Sequence, residues 1–397
     1  MFIIRRATAD DVPTLLKLAK MVHFINLPAD KEILDDKAAW SRQCFMLAAE
    51  ADDHRKSAKP SRRGGQPASD AAKLSEPLRS LSGRSPLFMF VMEEAPDADG
   101  PGGGVIGTCQ IVSQMGGPGQ PNVSLQLARR EMFSHSLQTG VTHTTARMHL
   151  DETGPTEIGG LILQPSFRSH RQKLGRFLSL IRFHFMGLHR AMFSQRVLAE
   201  MMGEITIDGF SPFWEHCTRC FINLTYDEAD RFCQTSKEFI LTLFPREEIY
   251  LSLLPPEARR VVGQVGPETV PAKRMLEKLG FRSHNRVDPF DGGPHLEAML
   301  DEISIVRDTE RAPLGPPAPD STKLKRFGMV SVLSDDGEFF AVQSAFDLDR
   351  KGRLVLPRES MAALRAEPGD EAGCTPTDRP EPRPAKGAAA QRPGSRR

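Results

Sequence analysis

Residues 157–179, Glu-Ile-Gly-Gly-Leu-Ile-Leu-Gln-Pro-Ser-Phe-Arg-Ser-His-Arg-Gln-Lys-Leu-Gly-Arg-Phe-Leu-Ser, decide how the rest of the chain is read. Ile158 to Leu163 forms a short apolar strand, and a basic loop with Arg168, Arg171 and Lys173 follows it. A helix then starts near Gly175. Its apolar residues Leu174, Phe177, Leu178, Ile181 and Phe185 follow the i, i+3, i+4, i+7 rhythm of a one-sided helix. A strand, a basic loop and a helix N-terminus together make a phosphate site. Unpaired backbone N–H groups and the positive end of the helix dipole face the anion, and the cationic side chains add charge.

Upstream, Phe2 to Arg5 reads as an edge-forming strand, and Asp10 or Asp11 caps a helix from Val12 to about Val22. A second helix spans roughly Lys31 to Met46. Residues 49–86 then turn to Ala, Ser, Pro, Gly and charge, which predicts a disordered insertion. Leu87–Glu93 and Gly104–Val112 are strands joined by a Gly/Pro/Asp-rich turn, and Thr142–Leu150 is another. Downstream, Arg196 to Gly203 is a strand, and Ser211-Pro-Phe-Trp-Glu215 starts a helix with serine as its cap. Helical spacing recurs over Tyr226–Leu243 and Pro271–Leu279. Gly280 stops the second of these before a strand at Phe281-Arg282. This order of elements predicts an α/β (α+β) unit of acyltransferase type, with a mostly antiparallel mixed sheet, over residues 1–306. A Pro- and charge-rich linker (307–326), a small β-rich C-terminal segment (327–373) and a disordered tail (374–397) complete the expected organisation.

Composition narrows the class. A net charge of +1 over 397 residues lacks the basic surplus of a nucleic-acid binder. The N-terminus carries no long apolar stretch, so neither a signal peptide nor a membrane anchor is expected. Six cysteines without regular spacing fit reduced thiols in a cytoplasmic protein. His216-Cys217-Thr-Arg-Cys220 is half of a metal motif with no second half at finger spacing, and no metal is expected.

Several blocks resemble the arginine N-succinyltransferase family, a branch of the GNAT-like acyl-CoA N-acyltransferases. They include Leu27-Pro-Ala-Asp30, Asp151-x-Thr-Gly154 with Glu157, Phe167-Arg168, Gly175-x-x-x-Ser179-x-x-Arg182-Phe183 and Ala199-Glu-Met-x-Gly203. Further on come Asp208-x-x-Ser-Pro-Phe-Trp-Glu215, Phe239-Ile240, Gly263-Gln-Val265, Gly280-Phe-Arg282 and Asp288-x-Phe-Asp-Gly-Gly-Pro294. The resemblance implies transfer of succinyl from succinyl-CoA to the α-amine of L-arginine, with ornithine as a secondary substrate. It also implies a succinyl-CoA contact at Leu161. The partners are then small molecules, an acyl-CoA and a basic amino acid, and oligomeric state is left open. Two departures stand out. The family's proton-donating histidine follows Gly-Gln-Val, where this chain has Gly266. The phosphate loop lacks the compact Arg-x-x-Gly-x-Gly form and keeps only Gly175.

Acyl transfer to an amine needs a pyrophosphate cradle, donors for the thioester oxyanion, a base for the ammonium and an acid for the thiolate. The cradle is the loop 168–175, and Gly159 and Gly160 admit a ligand close to the strand's backbone, so Gly160, Leu161, Leu163, Arg168, Arg171, Lys173 and Gly175 form the expected acyl-CoA set. Glu200, at a strand end, is the leading base. It could hold the amine or the guanidinium, or be an ordinary solvated acid. His295 and Glu268 are the candidates to replace the missing histidine, and His295 is the one put forward. A chain that lost turnover with that histidine, and senses CoA or an amino acid, is the competing reading, as is an acyltransferase with another donor or amine. Leu348 to Pro357 resembles an AbrB-type hairpin, expected to pack on the catalytic unit or on another subunit rather than on DNA.

Overall fold

A computed structural model describes residues 1–21, 27–57, 84–95, 103–206, 208–233 and 236–378. Its strands are β1 (Phe2–Arg6), β2 (Leu87–Glu94), β3 (Val105–Val112), β4 (Asn122–Ser134), β5 (Thr139–Asp151), β6 (Thr156–Leu163), β7 (Arg196–Glu200) and β8 (Ile249–Tyr250). They continue with β9 (Arg282–Val287), β10 (Pro294–Met299), β11 (Glu310–Pro313), β12 (Arg326–Leu333), β13 (Phe339–Leu348), β14 (Leu354–Val355) and β15 (Glu371–Pro376). Side by side the order is β11-β15-β12-β13-β1-β2-β3-β6-β7-β10-β9-β4-β5-β8, with β14 attached to β13 alone. Among these strand pairs β6–β7 is parallel and the rest are antiparallel. The helices are α1 (Val12–Ala19), α2 (Lys31–Ser57), α3 (Leu174–Leu188), α4 (Arg219–Ile222), α5 (Tyr226–Cys233), α6 (Glu238–Leu243), α7 (Pro256–Val261), α8 (Val270–Lys278), α9 (Ser304–Arg307) and α10 (Arg358–Ala363).

The main core gathers where α2 and α3 meet the middle of the sheet. Phe185 of α3 lies 4.8 Å from Phe88, 5.4 Å from Phe45 and 5.5 Å from Phe90 and Phe339, measured between ring centroids. These rings come from α2, β2, α3 and β13, so one aromatic cluster ties remote segments together. Each edge-on pair adds about 1 kcal/mol beyond the burial of its area. The predicted positions Leu174, Phe177, Leu178, Ile181 and Phe185 of α3 are all buried, but the helix is not one-sided. Every residue from Phe177 to Met186 is buried, because β11, β12 and β15 pack on it as well as β3 and β6. A second core, around Phe213, Trp214, Tyr226 and Phe290, fills the space under α4 to α7. Ser211 caps the turn that supplies Trp214, accepting from its N–H at 3.3 Å. The following residues Trp214–Thr218 form a π-helical turn, not the ordinary helix expected.

Several expectations need correction. α2 runs on through residues 49–57, the start of the stretch predicted to be disordered. Ala48 and Ala49 are buried, and Asp52 holds Arg311 at 2.8 Å, a partner 259 residues away that composition does not reveal. Arg84 and Ser85 also belong to the folded unit, through Asp36 and the Trp40 indole. Residues 58–83 lie outside the described residues. The predicted helix over 226–243 is two helices, α5 and α6. Residues 307–326 are no linker, since α9 ends in them and β11 pairs with β15. The C-terminal β-rich segment joins the same sheet, where β13 pairs with β1, so β1 lies between β13 and β2 and is not the edge strand expected. Its expected hairpin is the β13–β14 pair. Cys374–Pro376 belong to β15, not to a tail, and residues 379–397 lie outside the described residues. β4 was not anticipated. The outer half of its hairpin with β5 is exposed, so neither face imposes an apolar alternation there.

Candidate active site

β6 leaves its parallel neighbour early. The β6–β7 ladder contains Thr156↔Val197 and Glu157↔Leu198, while β6 continues to Leu163. On its other edge the register with β3 jumps from Gln110↔Gly159 to Thr108↔Ile162, so a bulge forms opposite Cys109. Gly160 sits in this bulge at φ +57, and a Cβ there would meet the Gln110 side chain at 3.1 Å. The left-handed backbone favours glycine, and a side chain there would also have to displace Gln110 slightly. The split and the bulge leave β6 backbone groups without strand partners, and such N–H groups can receive a thioester oxygen. Leu161 and Leu163 are half-buried against the core.

The loop that follows is tied down at both ends. The His170 ring packs edge-on against Phe2, with centroids 5.2 Å apart. The Arg168 guanidinium pairs with Glu268 at 2.8 Å and donates to the Leu163 carbonyl at 3.3 Å. Glu268 thus lies in a solvent-exposed ion pair. Arg171 and Lys173 are exposed. Ser169 and Lys173 both adopt left-handed backbone, φ +69 and +51, in a loop whose family form carries glycines. Lys173 stands at the N-cap of α3 and Gly175 lies in its first turn, so the free N–H groups of that helix open onto the loop.

A cleft forms at the C-terminal end of β7. Glu200 and His295 are cross-strand partners of β7 and β10. The His295 Nε2 lies 3.9 Å from Glu200 Oε1 and 4.0 Å from Asp288 Oδ2. Asn122, at the start of β4, donates from Nδ2 to Glu200 Oε1 at 2.9 Å. Met115, Cys233, Lys237, Ile240 and Phe290 line the rest of the cleft. His295 Nε2 and Asn122 Oδ1 are buried and have no hydrogen-bond partner among the described residues. Burial works against a charge on His295, but Glu200, Asp288 and Asp291 outweigh it and hold the imidazolium above its ordinary 6.5. Burial likewise opposes the charge of Lys237, and the carboxylates of Glu200, Glu157 and Asp288 together with Cys233 hold it above 10.5.

The sequence pointed to Glu200 and His295, and the structure brings them together. Asn122, Asp288 and Lys237 were missed as site residues. Asp288 stood in a quoted block read only as a turn, while Asn122 and Lys237 sit in segments with no local signal. Against the expectation of no metal, the donor atoms of Glu200, Asp288 and His295 lie within 4.8 Å of one another and could hold a divalent cation. The Lys237 ammonium in the same cleft disfavours one. The half-motif around His216 gathers no such set, since Cys217 is buried in the second core and His216 faces Glu257 at 3.6 Å.

The turn from Asp288 to Pro294 fixes this geometry. Asp291 is buried and accepts from the Gly203 and Gly293 N–H groups, both at 2.7 Å. Burial and the charge of Asp288 push its carboxyl up. Gly203 carries no Cβ because one would meet the Asp291 carbonyl oxygen at 2.5 Å. Gly266 donates to the Met202 carbonyl at 3.1 Å, and a Cβ on it would lie 2.7 Å from the Gly203 oxygen. The backbone has closed over the position where the resemblance placed a histidine. Beside the cleft, Arg196 binds Asp151 and, at 3.2 Å, Glu297, and Arg286 binds Glu297 at 2.9 Å, a network that braces β7 against β10.

A family model described as the arginine N-succinyltransferase beta subunit matches residues 70–305. An arginine N-succinyltransferase of Enterobacter sp. is 33% identical over 307 residues, covering 76% of this chain and 86% of that protein. The chain belongs to the arginine N-succinyltransferase family. A second member, from Escherichia coli, is 33% identical over 314 residues, 77% of this chain and 88% of its own. Among solved structures, arginine/ornithine succinyltransferase subunit AI from Pseudomonas aeruginosa superposes with a TM-score of 0.70 at 24% identity. That match covers 95% of this chain and 98% of the other. It extends the fold likeness well beyond the family match, across the C-terminal strands. This arginine N-succinyltransferase family member is thus an acyltransferase, and among its described residues no helix is long and apolar enough to cross a membrane.

Proposed function

We propose that the chain transfers succinyl from succinyl-CoA to the α-amine of L-arginine, in arginine catabolism. The observation that carries this reading is one sheet holding both halves of the chemistry. The split, bulged β6 beside the α3 N-terminus suits an acyl-CoA, and the Glu200–His295 pair lies on β7 and β10 next to it. In this reading the pyrophosphate lies at the loop before α3, near Arg171 and Lys173, and the thioester runs along Gly160–Leu163. Glu200 accepts a proton from the α-ammonium, and the freed amine attacks the thioester carbon. As the tetrahedral intermediate collapses, the C–S bond breaks and the CoA thiolate takes a proton from His295. The nitrogen's second proton passes to the neutral imidazole this leaves, and Glu200 releases its own proton to solvent.

The carboxylates around His295 favour its charged form, which suits an acid. Turnover is therefore expected to fall as pH rises through an apparent pKa above 6.5, and His295→Gln should remove that alkaline limb while lowering kcat about a hundredfold. A pH–rate profile of both proteins checks this, and an unchanged limb in the variant would assign the proton donor elsewhere.

The overall reading is tested by thiol release with succinyl-CoA and acetyl-CoA against a panel of amino acids that includes arginine and ornithine. Turnover is expected to be greatest with succinyl-CoA and arginine. CoA binding without thiol release across the panel would instead support the sensor reading, the one Gly266 favours.

A further inference from the structure

The cleft at the end of β7 is lined by groups of both signs. Glu200 and Asp288 supply carboxylates, and Lys237, the residue just before α6, lines the same cleft. Its ammonium makes no hydrogen bond or ion pair with any described side chain, although acidic groups surround it. A lysine that served only to neutralise Glu200 would be expected to close on it as a direct ion pair. Here Glu200 Oε1 instead takes the Asn122 amide at 2.9 Å and faces His295 at 3.9 Å, which leaves the ammonium open to something else. An ammonium that no described carboxylate engages directly keeps its three N–H donors available to an anion that enters the cleft.

We infer that Lys237 binds the α-carboxylate of the amino-acid substrate and so fixes which end of that molecule enters the cleft. The inference rests on the amino-acid acylation proposed above and adds the orientation of the acceptor. The α-carbon of an amino acid carries an ammonium and a carboxylate on adjacent bonds, and the cleft offers a complement to each. Glu200 and Asp288 face the ammonium, Lys237 faces the carboxylate, and the side chain is directed away from the pair. An amine without an adjacent carboxylate would lose one of the two anchors and would not be held with its nitrogen toward Glu200. Lys237 is thus a specificity residue, distinct from the groups that move protons.

The test compares L-arginine with agmatine, the same molecule lacking the carboxylate, in the full-length protein and in Lys237→Met. The unsubstituted protein is expected to favour arginine in kcat/KM by ~30-fold or more, the worth of one charge-assisted hydrogen bond. Lys237→Met should remove most of that preference by lowering the arginine value far more than the agmatine value, and Lys237→Arg should restore part of it. Equal losses for both amines, or an undiminished preference for arginine, would overturn the inference. Calorimetric titration of the two amines reads the same contrast without turnover. A preference for arginine in binding that disappears in Lys237→Met would support the carboxylate site even if no succinyl were transferred, whereas equal binding by the unsubstituted protein would overturn it.

Discussion

Glu200→Gln is expected to lower kcat/KM for arginine by about three orders of magnitude while leaving the fold intact. The substitution keeps the shape of the side chain, and a glutamine oxygen can still accept from the Asn122 amide. What it removes is the ability to take a proton from an ammonium. The charge lost would also have attracted that ammonium, so binding of arginine should weaken along with the chemical step. Steady-state kinetics with melting curves on the same preparations decide the matter. A kcat within tenfold of the unsubstituted protein, at an unchanged Tm, would show that another group serves as base.

Gly293→Ala is expected to damage both stability and rate. A methyl group at this position would fall on the Met201 carbonyl oxygen and lie 2.7 Å from the Gly203 nitrogen and 2.8 Å from Asp291 Oδ1. The first two are backbone atoms, and the third belongs to a carboxylate held by the Gly203 and Gly293 N–H groups. The end of β7 must move away from the start of β10, where the Met201 N–H now donates to the Pro294 carbonyl at 3.1 Å. Overpacking of this kind costs about 3 kcal/mol or more. Because Glu200 and His295 stand on the two strands being pushed apart, kcat should fall ~100-fold as well. Denaturant unfolding and turnover measured together check both effects. A variant as stable and as fast as the parent would mean that the turn is looser than described.

What the sequence revealed divides along lines of range. The β6–loop–α3 unit was legible because its information is local: apolar spacing, a basic loop and a glycine at the point where the strand bulges. Gly280 was legible for the same reason, and its φ of +105 between α8 and β9 is what a helix-stopping glycine supplies. The end of α2 was not, because Asp52 is stabilised there by an arginine far along the chain. The site shows the same division. Glu200 and His295 were singled out from their motifs, yet their pairing follows from the β7–β10 register, which no local pattern encodes. Asn122, Asp288 and Lys237 reach the cleft from three further segments, and only the completed sheet shows that they meet. Gly266 could be read as a missing histidine. That Gly203 now occupies the space beside it could not.

The pairing of β1 with β13 bears on how the protein is made. One of the two strand partners of Ile3, Ile4 and Arg5, Phe340 to Val342, is synthesised more than three hundred residues after them. Until then the outer edge of β1 presents unpaired backbone beside an apolar Phe-Ile-Ile run, a template for pairing between nascent chains. A message that stopped before residue 339 would leave that edge open for good, even though the whole acyl-transfer cleft had been encoded. β13 thus acts as a closing seam, and loss of the chain from residue 339 onward would be felt first as insolubility rather than as altered chemistry.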